Sequence, residues 1–198
     1  ASAAGADAAA AAAGDDAAAA AAAAALGAAF DEHTSYLRLN YYPVFADRAP
    51  GRLGISRHTD AGALTVLKQD ATVSSLEVYS GSKQDAGDGE WVPVSPAPGA
   101  LTINTGDMLQ VWSNGAYKAP EHRVQASTAR ERFSAPYFFN PSYATRIAPI
   151  VGDAASGAAA RRYAPIEWGY FRGQRFAGDF ADEGREIQIE DYEIPADP

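Results

Sequence analysis

From Tyr36 onward the chain is a series of short runs in which aromatic and branched residues interleave with polar ones, broken by turn-forming pairs. Tyr36-Leu37-Arg38-Leu39-Asn40-Tyr41-Tyr42 ends at Pro43, and its side chains suit a pleated surface. Further strand-like runs are Ala63–Lys68, Ser75–Tyr79, Trp91–Val94, Ala100–Asn104, Met108–Trp112, Arg123–Ala126 and Phe133–Phe139. Pro50-Gly51, Pro98-Gly99, Thr105-Gly106-Asp107 and Asn114-Gly115 lie between them and supply turn chemistry. Many short strands with no helical pattern between them predict an antiparallel barrel or jelly roll. Gly81–Gly89 reads as an exposed hairpin loop.

The ends of the chain have a different texture. Residues 1–29 are an Ala-rich, low-complexity segment, expected to be a linker or a marginal helix, with Asp15-Asp16 placed to cap Ala17–Ala25. It lacks the basic start and the Leu, Ile and Val of a secretory signal, and Ala alone holds a segment poorly in a bilayer. After Pro149, Ala154–Arg162 and Ile166–Phe176 have helical composition, with a stop at Gly178–Asp182, and Ile187–Ile189 is expected to add a short strand or lie over the barrel. The expected division is therefore 1–29, a β domain over 30–150, and a helical extension over 151–198.

Composition narrows the function. Apolar residues make up 47% of the 198 and the net charge is -9, so the chain can bury a core but presents an acidic surface. Such a surface repels phosphate backbones and anionic lipid, which sets aside nucleic acid and membranes as partners. The absence of Cys excludes disulfides, thiolate metal sites and a Cys nucleophile, and fits a cytoplasmic, reducing compartment. The chain starts at Ala1 and its only Met is Met108, so a fragment or processed product is expected.

The three His are His33, His58 and His122. His58-Thr59-Asp60 separates two potential ligands by two residues, which on a strand share a face. His122, brought alongside by barrel closure, would complete a two-His, one-carboxylate triad of the kind that holds non-haem Fe(II). Ten residues beyond His122, Arg132-Phe133-Ser134 again places two polar groups on one face. A guanidinium fork beside a hydroxyl is an anion site for a carboxylate, the alternative being an ordinary salt bridge. His33 matches no such pattern and reads as a surface residue. Asp107 reads as a turn residue acting through its backbone.

Residues 36 to 141 resemble the barrel of the isopenicillin N synthase-like, plant-type 2-oxoglutarate (2OG)/Fe(II) dioxygenases. The matching segments, in the family's order, are Asn40–Pro43, Gly54–Asp60, Leu64–Asp70, Pro98–Ala100, Asn104–Asp107, Ser113–Gly115, His122–Val124 and Arg132–Ser134. The resemblance implies a double-stranded β-helix with Fe(II) on His58, Asp60 and His122. It also implies a 2OG carboxylate held by Arg132, Ser134 and Tyr42, with Asn40 in the same pocket. Phe138 matches an aromatic that packs against substrate, core packing being the other reading. The implied reaction consumes dioxygen and 2OG, hydroxylates or desaturates a small organic molecule, and releases succinate and carbon dioxide.

Two alternatives remain open at this point. Isopenicillin N synthase and aminocyclopropane-carboxylate oxidase keep the triad and the Arg-x-Ser pair without using 2OG, and a truncated barrel could bind metal without turnover. Family members also carry a helical region ahead of the barrel, where this chain has only its Ala-rich stretch. Alternation before Pro43 adds one expectation: Arg38, Asn40 and Tyr42 share a face, so Arg38 points at the barrel mouth and binds an anionic group of the substrate. A monomer is favoured.

Overall fold

Among the described residues, nine β-strands lie in one unit, Ser35–Asn140. The computed structural model describes residues 17, 19–45, 52–81, 89–150, 160–178 and 186–195. The expected Asp15-Asp16 cap, the interior of the Gly81–Gly89 loop and most of Ala154–Arg162 lie outside the described residues. The strands are β1 (Tyr36–Leu37), β2 (Asn40–Tyr42), β3 (Leu53–His58), β4 (Leu64–Gln69), β5 (Leu76–Tyr79), β6 (Trp91–Pro93), β7 (Thr102–Thr105), β8 (His122–Gln125) and β9 (Arg132–Phe139).

One sheet runs β1-β9-β4-β7, with β2 also pairing with β9, and the other runs β3-β8-β5-β6. Every pairing is antiparallel. From β2 to β5 successive strands alternate between the two sheets, which is jelly-roll winding and closes the barrel. Tyr42 of the first sheet packs with Leu76 and Val124 of the second, and Ile55, Leu67 and Val94 pack around them. This cluster is the apolar filling between the sheets.

Strand β9 inverts the usual alternation. Arg132, Ser134 and Pro136 are buried, while Phe133 and Tyr137 are 52% and 37% exposed. Burying a guanidinium where an aromatic would cost less breaks a local folding rule, and such breaks gather at functional sites.

One expected strand is a helix. Met108–Trp112 lies in α2 (Asp107–Trp112), with Met108, Val111 and Trp112 buried. Those positions fall at i, i+3 and i+4, one face of a helix, and so short an apolar run fits either period. Asn114 and Gly115 follow with φ of 53° and 84°, and the Gly115 N–H donates to the Gln110 carbonyl at 2.8 Å. That left-handed turn ends the helix and explains the Asn-Gly pair.

The second unit comprises Ala1–Thr34 and Pro141–Pro198. Residues 19–28 form helix α1. Ile166–Phe176 is not helical throughout: Ile166–Glu167 is strand β11, paired with β10 (Arg146–Ile147), and α3 spans Trp168–Gly178. The Ile187–Ile189 strand is not formed; a 3-10 turn occupies Ile189–Tyr192 instead. Ile147, Tyr163, Ile166, Trp168, Phe171 and Ile189 are buried, and Ile147 and Ile166 are register partners in the β10–β11 pair. No helix among the described residues is long and apolar enough to cross a membrane.

Candidate metal and 2-oxoglutarate site

His58 ends β3 and His122 begins β8, and the two are direct cross-strand partners. Their rings lie 4.2 Å apart, centroid to centroid. Each Nδ1 meets the carbonyl of the residue two positions earlier, Ser56 at 2.8 Å and Pro120 at 3.1 Å. In the tautomer that donates Nδ1–H to these carbonyls, Nε2 of each ring turns its lone pair toward Asp60. The two Nε2 atoms are 3.8 and 3.6 Å from Asp60 Oδ1.

Asp60 does not lie on a strand, which corrects the expectation that His58 and Asp60 share a strand face. The chain leaves β3 at His58, and Asp60 sits in the connection to β4. That connection is held from below by the start of α2. The Gly106 N–H donates to Ala63 O at 2.8 Å, Asp107 N–H to Asp60 O at 2.8 Å, and Met108 N–H to Gly62 O at 3.0 Å. Asp107 thus contributes through its backbone, as its turn position suggests. Gly106 is required by close approach, because a Cβ there would lie 2.3 Å from Gly62 O and 2.8 Å from Asp60 O.

Asp60 Oδ2 is claimed by protein donors. Thr65 Oγ1 donates to it at 2.6 Å and Asn104 Nδ2 at 2.8 Å. The ligating atoms of His58, Asp60 and His122 all lie within 4.8 Å of one another. Two imidazoles and a carboxylate so gathered are a donor set that fits Fe(II).

Arg132 is 1% exposed. Its Nη2 donates to Gln69 Oε1 at 3.1 Å, and Gln69 Nε2 donates to Thr102 Oγ1 at 3.1 Å. Arg132 Nε and Nη1 are buried without a hydrogen-bond partner. A buried guanidinium with unmet donors calls for an anion, and a planar carboxylate matches its geometry. The Tyr42 ring lies under the guanidinium, 4.9 Å from centroid to Cζ, and Asn40 Nδ2 donates to Ser134 Oγ at 3.3 Å. Tyr42↔Arg132 and Asn40↔Ser134 are register partners, so the four residues form one patch. These residues fit the distal carboxylate of 2OG.

A model of the 2OG-Fe(II) oxygenase superfamily matches residues 33–141, more than half of the chain. The chain belongs to the 2OG-Fe(II) oxygenase superfamily. Among curated relatives of this superfamily, gibberellin 2-beta-dioxygenase 5 of Oryza sativa subsp. japonica is 40% identical over 159 residues, covering 80% of this chain and 43% of the relative. The crystal structure of JOX2 in complex with 2OG, Fe and JA superposes with a TM-score of 0.67 at 31% identity, covering 83% of this chain and 45% of that one. A full-length Neurospora crassa protein in complex with alpha-KG and thymine gives a TM-score of 0.65 at 28% identity, with 77% and 46% covered. The chain thus spans less than half the length of these superfamily relatives. The Fe and 2OG of the JOX2 complex, and the alpha-KG of the Neurospora crassa one, agree with the groups that the His58, Asp60, His122 and Arg132 geometry fits.

Phe138 stacks on Tyr36 at 4.9 Å and is the register partner of Thr65, one side chain from Asp60. The Arg38 N–H donates to Pro136 O at 3.0 Å, so the register through β1 and β2 runs without a bulge and Arg38 keeps the face of Asn40 and Tyr42. Its side chain is exposed, and no hydrogen bond or ion pair to another described residue engages it. Sequence reasoning assigned no role to Thr65, Gln69, Thr102 or Asn104. A signal was present: Thr65 and Gln69 alternate with Leu67 along β4, which places two polar residues on the face that Leu67 packs into the core.

Proposed function

We propose that this chain carries the catalytic barrel of a 2OG- and Fe(II)-dependent dioxygenase that hydroxylates or desaturates a small, partly apolar organic anion. The observation that carries the reading is Arg132, a buried guanidinium with Nε and Nη1 unmet, in the same barrel as the His58, Asp60 and His122 cluster. His58, Asp60 and His122 would hold Fe(II), which when bound supplies the oxidative chemistry that converts 2OG and dioxygen to succinate and carbon dioxide as substrate is oxidised.

The protein's own groups bind, orient and shield. Arg132, oriented by Gln69, receives the far carboxylate of 2OG, with Ser134 and Tyr42 beside it. The Ser56 and Pro120 carbonyls fix the imidazole tautomers. Phe138 and Tyr36 offer an aromatic wall for substrate, and Arg38, on the same face, is the cation for its carboxylate or phenolate. The solved relatives support this size class: the JOX2 complex pairs 2OG with JA, and the Neurospora crassa complex pairs alpha-KG with thymine. A chain without Cys is suited to a reducing cytoplasm.

The deciding experiment is anaerobic titration with Fe(II) and 2OG, followed by admission of air and assay of succinate. A visible charge-transfer band on adding 2OG, lost in His58→Ala, and iron-dependent succinate are expected. Iron binding with no such band and no succinate would favour an oxidase that does not use 2OG. Failure to bind iron would overturn the reading.

A further inference from the structure

The strands that turn Arg132, Ser134 and Gln69 into the barrel turn a different set of residues outward by alternation. Register arranges that outward set in rows across the β1-β9-β4-β7 sheet. Leu37, Tyr137, Val66 and Ile103 make one row, through the pairs Leu37↔Tyr137, Tyr137↔Val66 and Val66↔Ile103. Ala135 and Lys68 pair in the next row, and the register continued by one residue sets Leu39 and Leu101 at its two ends. Tyr41 and Phe133 pair in the last, their rings 5.1 Å apart, and Asp70 follows, its N–H donating to Phe133 O. Seven large apolar side chains in these rows are between 37 and 78% exposed.

At that exposure each side chain offers on the order of 100 Å², so together they present about 700 Å². The largest apolar patch of a monomeric protein is about 300–600 Å². A stable interface takes about 800 Å² from each partner. The face is also close to neutral in a chain of net charge -9, because the charged residues in these rows are Lys68 and Asp70, of opposite sign. We infer that this face is the interface of a homodimer, in which the β1-β9-β4-β7 sheet of one copy stacks on the same sheet of a second copy about a twofold axis. A pleated apolar sheet suits such a contact, since two sheets pack face to face about 10 Å apart with their side chains interdigitated. Sequence alone favours a monomer; the area and neutrality of this face favour two copies. Arg132, Ser134 and Gln69 lie on the opposite face of the same strands, so the contact braces the sheet without entering the anion site. The net charge of each copy opposes their approach, and salt that screens it should tighten the dimer.

The test is sedimentation velocity on the whole chain from low to high micromolar concentration, folding being checked by far-UV circular dichroism. Wild type should pass from monomer to dimer and stop there. Leu39→Glu and Ile103→Lys each bury a charge in the contact and should weaken dimerisation about tenfold or more. Tyr170→Glu, at a side chain 60% exposed on α3, should behave as wild type. The chain has no Cys, so Ala135→Cys puts a single thiol in the middle of the face. That thiol should resist a maleimide at high protein concentration and react freely on dilution. A chain that stays monomeric throughout would overturn the inference and leave the face to a different polypeptide. A dimer that Leu39→Glu and Ile103→Lys leave intact, or association that grows past two copies without limit, would overturn it as well.

Discussion

Arg57 and Glu121, each one residue ahead of a histidine of the His58, Asp60 and His122 cluster, close a two-pronged ion pair that joins the ends of β3 and β8. Arg57 Nε meets Glu121 Oε1 at 2.7 Å, and Nη2 meets Oε2. The Glu121 hydrogen bond raises the Arg57 pKa above its ordinary value. The guanidinium also lies over the Tyr79 ring at 4.7 Å. The pair thus ties together the strand ends that carry His58 and His122.

Replacing Glu121 with Gln should cost about 0.5–1 kcal/mol of stability, the scale for a partly exposed ion pair. Metal affinity should fall by a few-fold, because the histidine register is loosened and no ligand is lost. Urea unfolding and Co(II) titration check the two parts. A change above tenfold in affinity would show that the pair does more than hold register.

Arg132→Lys should weaken 2OG binding by about tenfold or more, since an ammonium cannot reproduce the guanidinium fork. Fe(II) binding should be unaffected. Gln69→Glu should have the same sign: a carboxylate beside Arg132 Nη2 would compete with the 2OG carboxylate for the one cation. Calorimetric 2OG titration against metal-loaded protein measures both.

Gly106→Ala places a methyl group on two backbone carbonyls, those of Gly62 and Asp60. The connection carrying Asp60 must then shift, at a cost of about 1–3 kcal/mol for an overpacked site. Metal affinity should fall together with the thermal midpoint. Loss of stability with intact metal binding would show that Asp60 is held independently of α2.

Arg38→Leu should raise KM for an anionic substrate and leave substrate-independent 2OG turnover nearly unchanged. A panel of small aromatic and alicyclic carboxylic acids, assayed by succinate release, supplies the readout. Equal loss of both activities would place Arg38 in the structure of the barrel instead of in substrate recognition.

Glu77 sets an acid limit. Burial pushes its carboxyl up from 4.5, but hydrogen bonds from Gln125 and Arg123 outweigh that and hold it below. A carboxylate lowered on folding stabilises the protein above its unfolded pKa, and this contribution is lost as pH falls from about 4.5 through the folded value. Glu77→Gln should therefore lower stability at pH 7 and flatten the acid limb of the urea midpoint. An unchanged pH profile would exclude the Arg123 and Gln125 contacts as its source.

Order along the chain was enough to name the side chains that the fold gathers and to imply a jelly roll. His58, Asp60, His122, Arg132 and Ser134 are single positions whose chemistry is intrinsic to the side chain, and alternation in short runs reports which face a strand buries. The expected strand at Met108–Trp112 shows the limit. Its apolar spacing suits both periods over so few residues, and what selects the helix is its start, where three N–H groups bond the carbonyls of Ala63, Asp60 and Gly62. Those carbonyls are distant in sequence from the helix.

The same reason separates the residues that were legible from those that were not. A metal ligand announces itself by type, whereas Thr65, Asn104 and Gln69 are ordinary polar residues until pairing of β7 and β9 with β4 sets them beside Asp60 and Arg132. The amino-acid sequence by itself determined which groups are available, their alternation along each strand and the charge of the whole. Tertiary structure alone decided that Asp60 leaves its strand, that one of its oxygens is claimed by protein donors, and that Arg132 is buried with two donors unmet. Hydrogen-bond direction and burial depend on groups brought together from separate strands, and that information exists only once the barrel has closed.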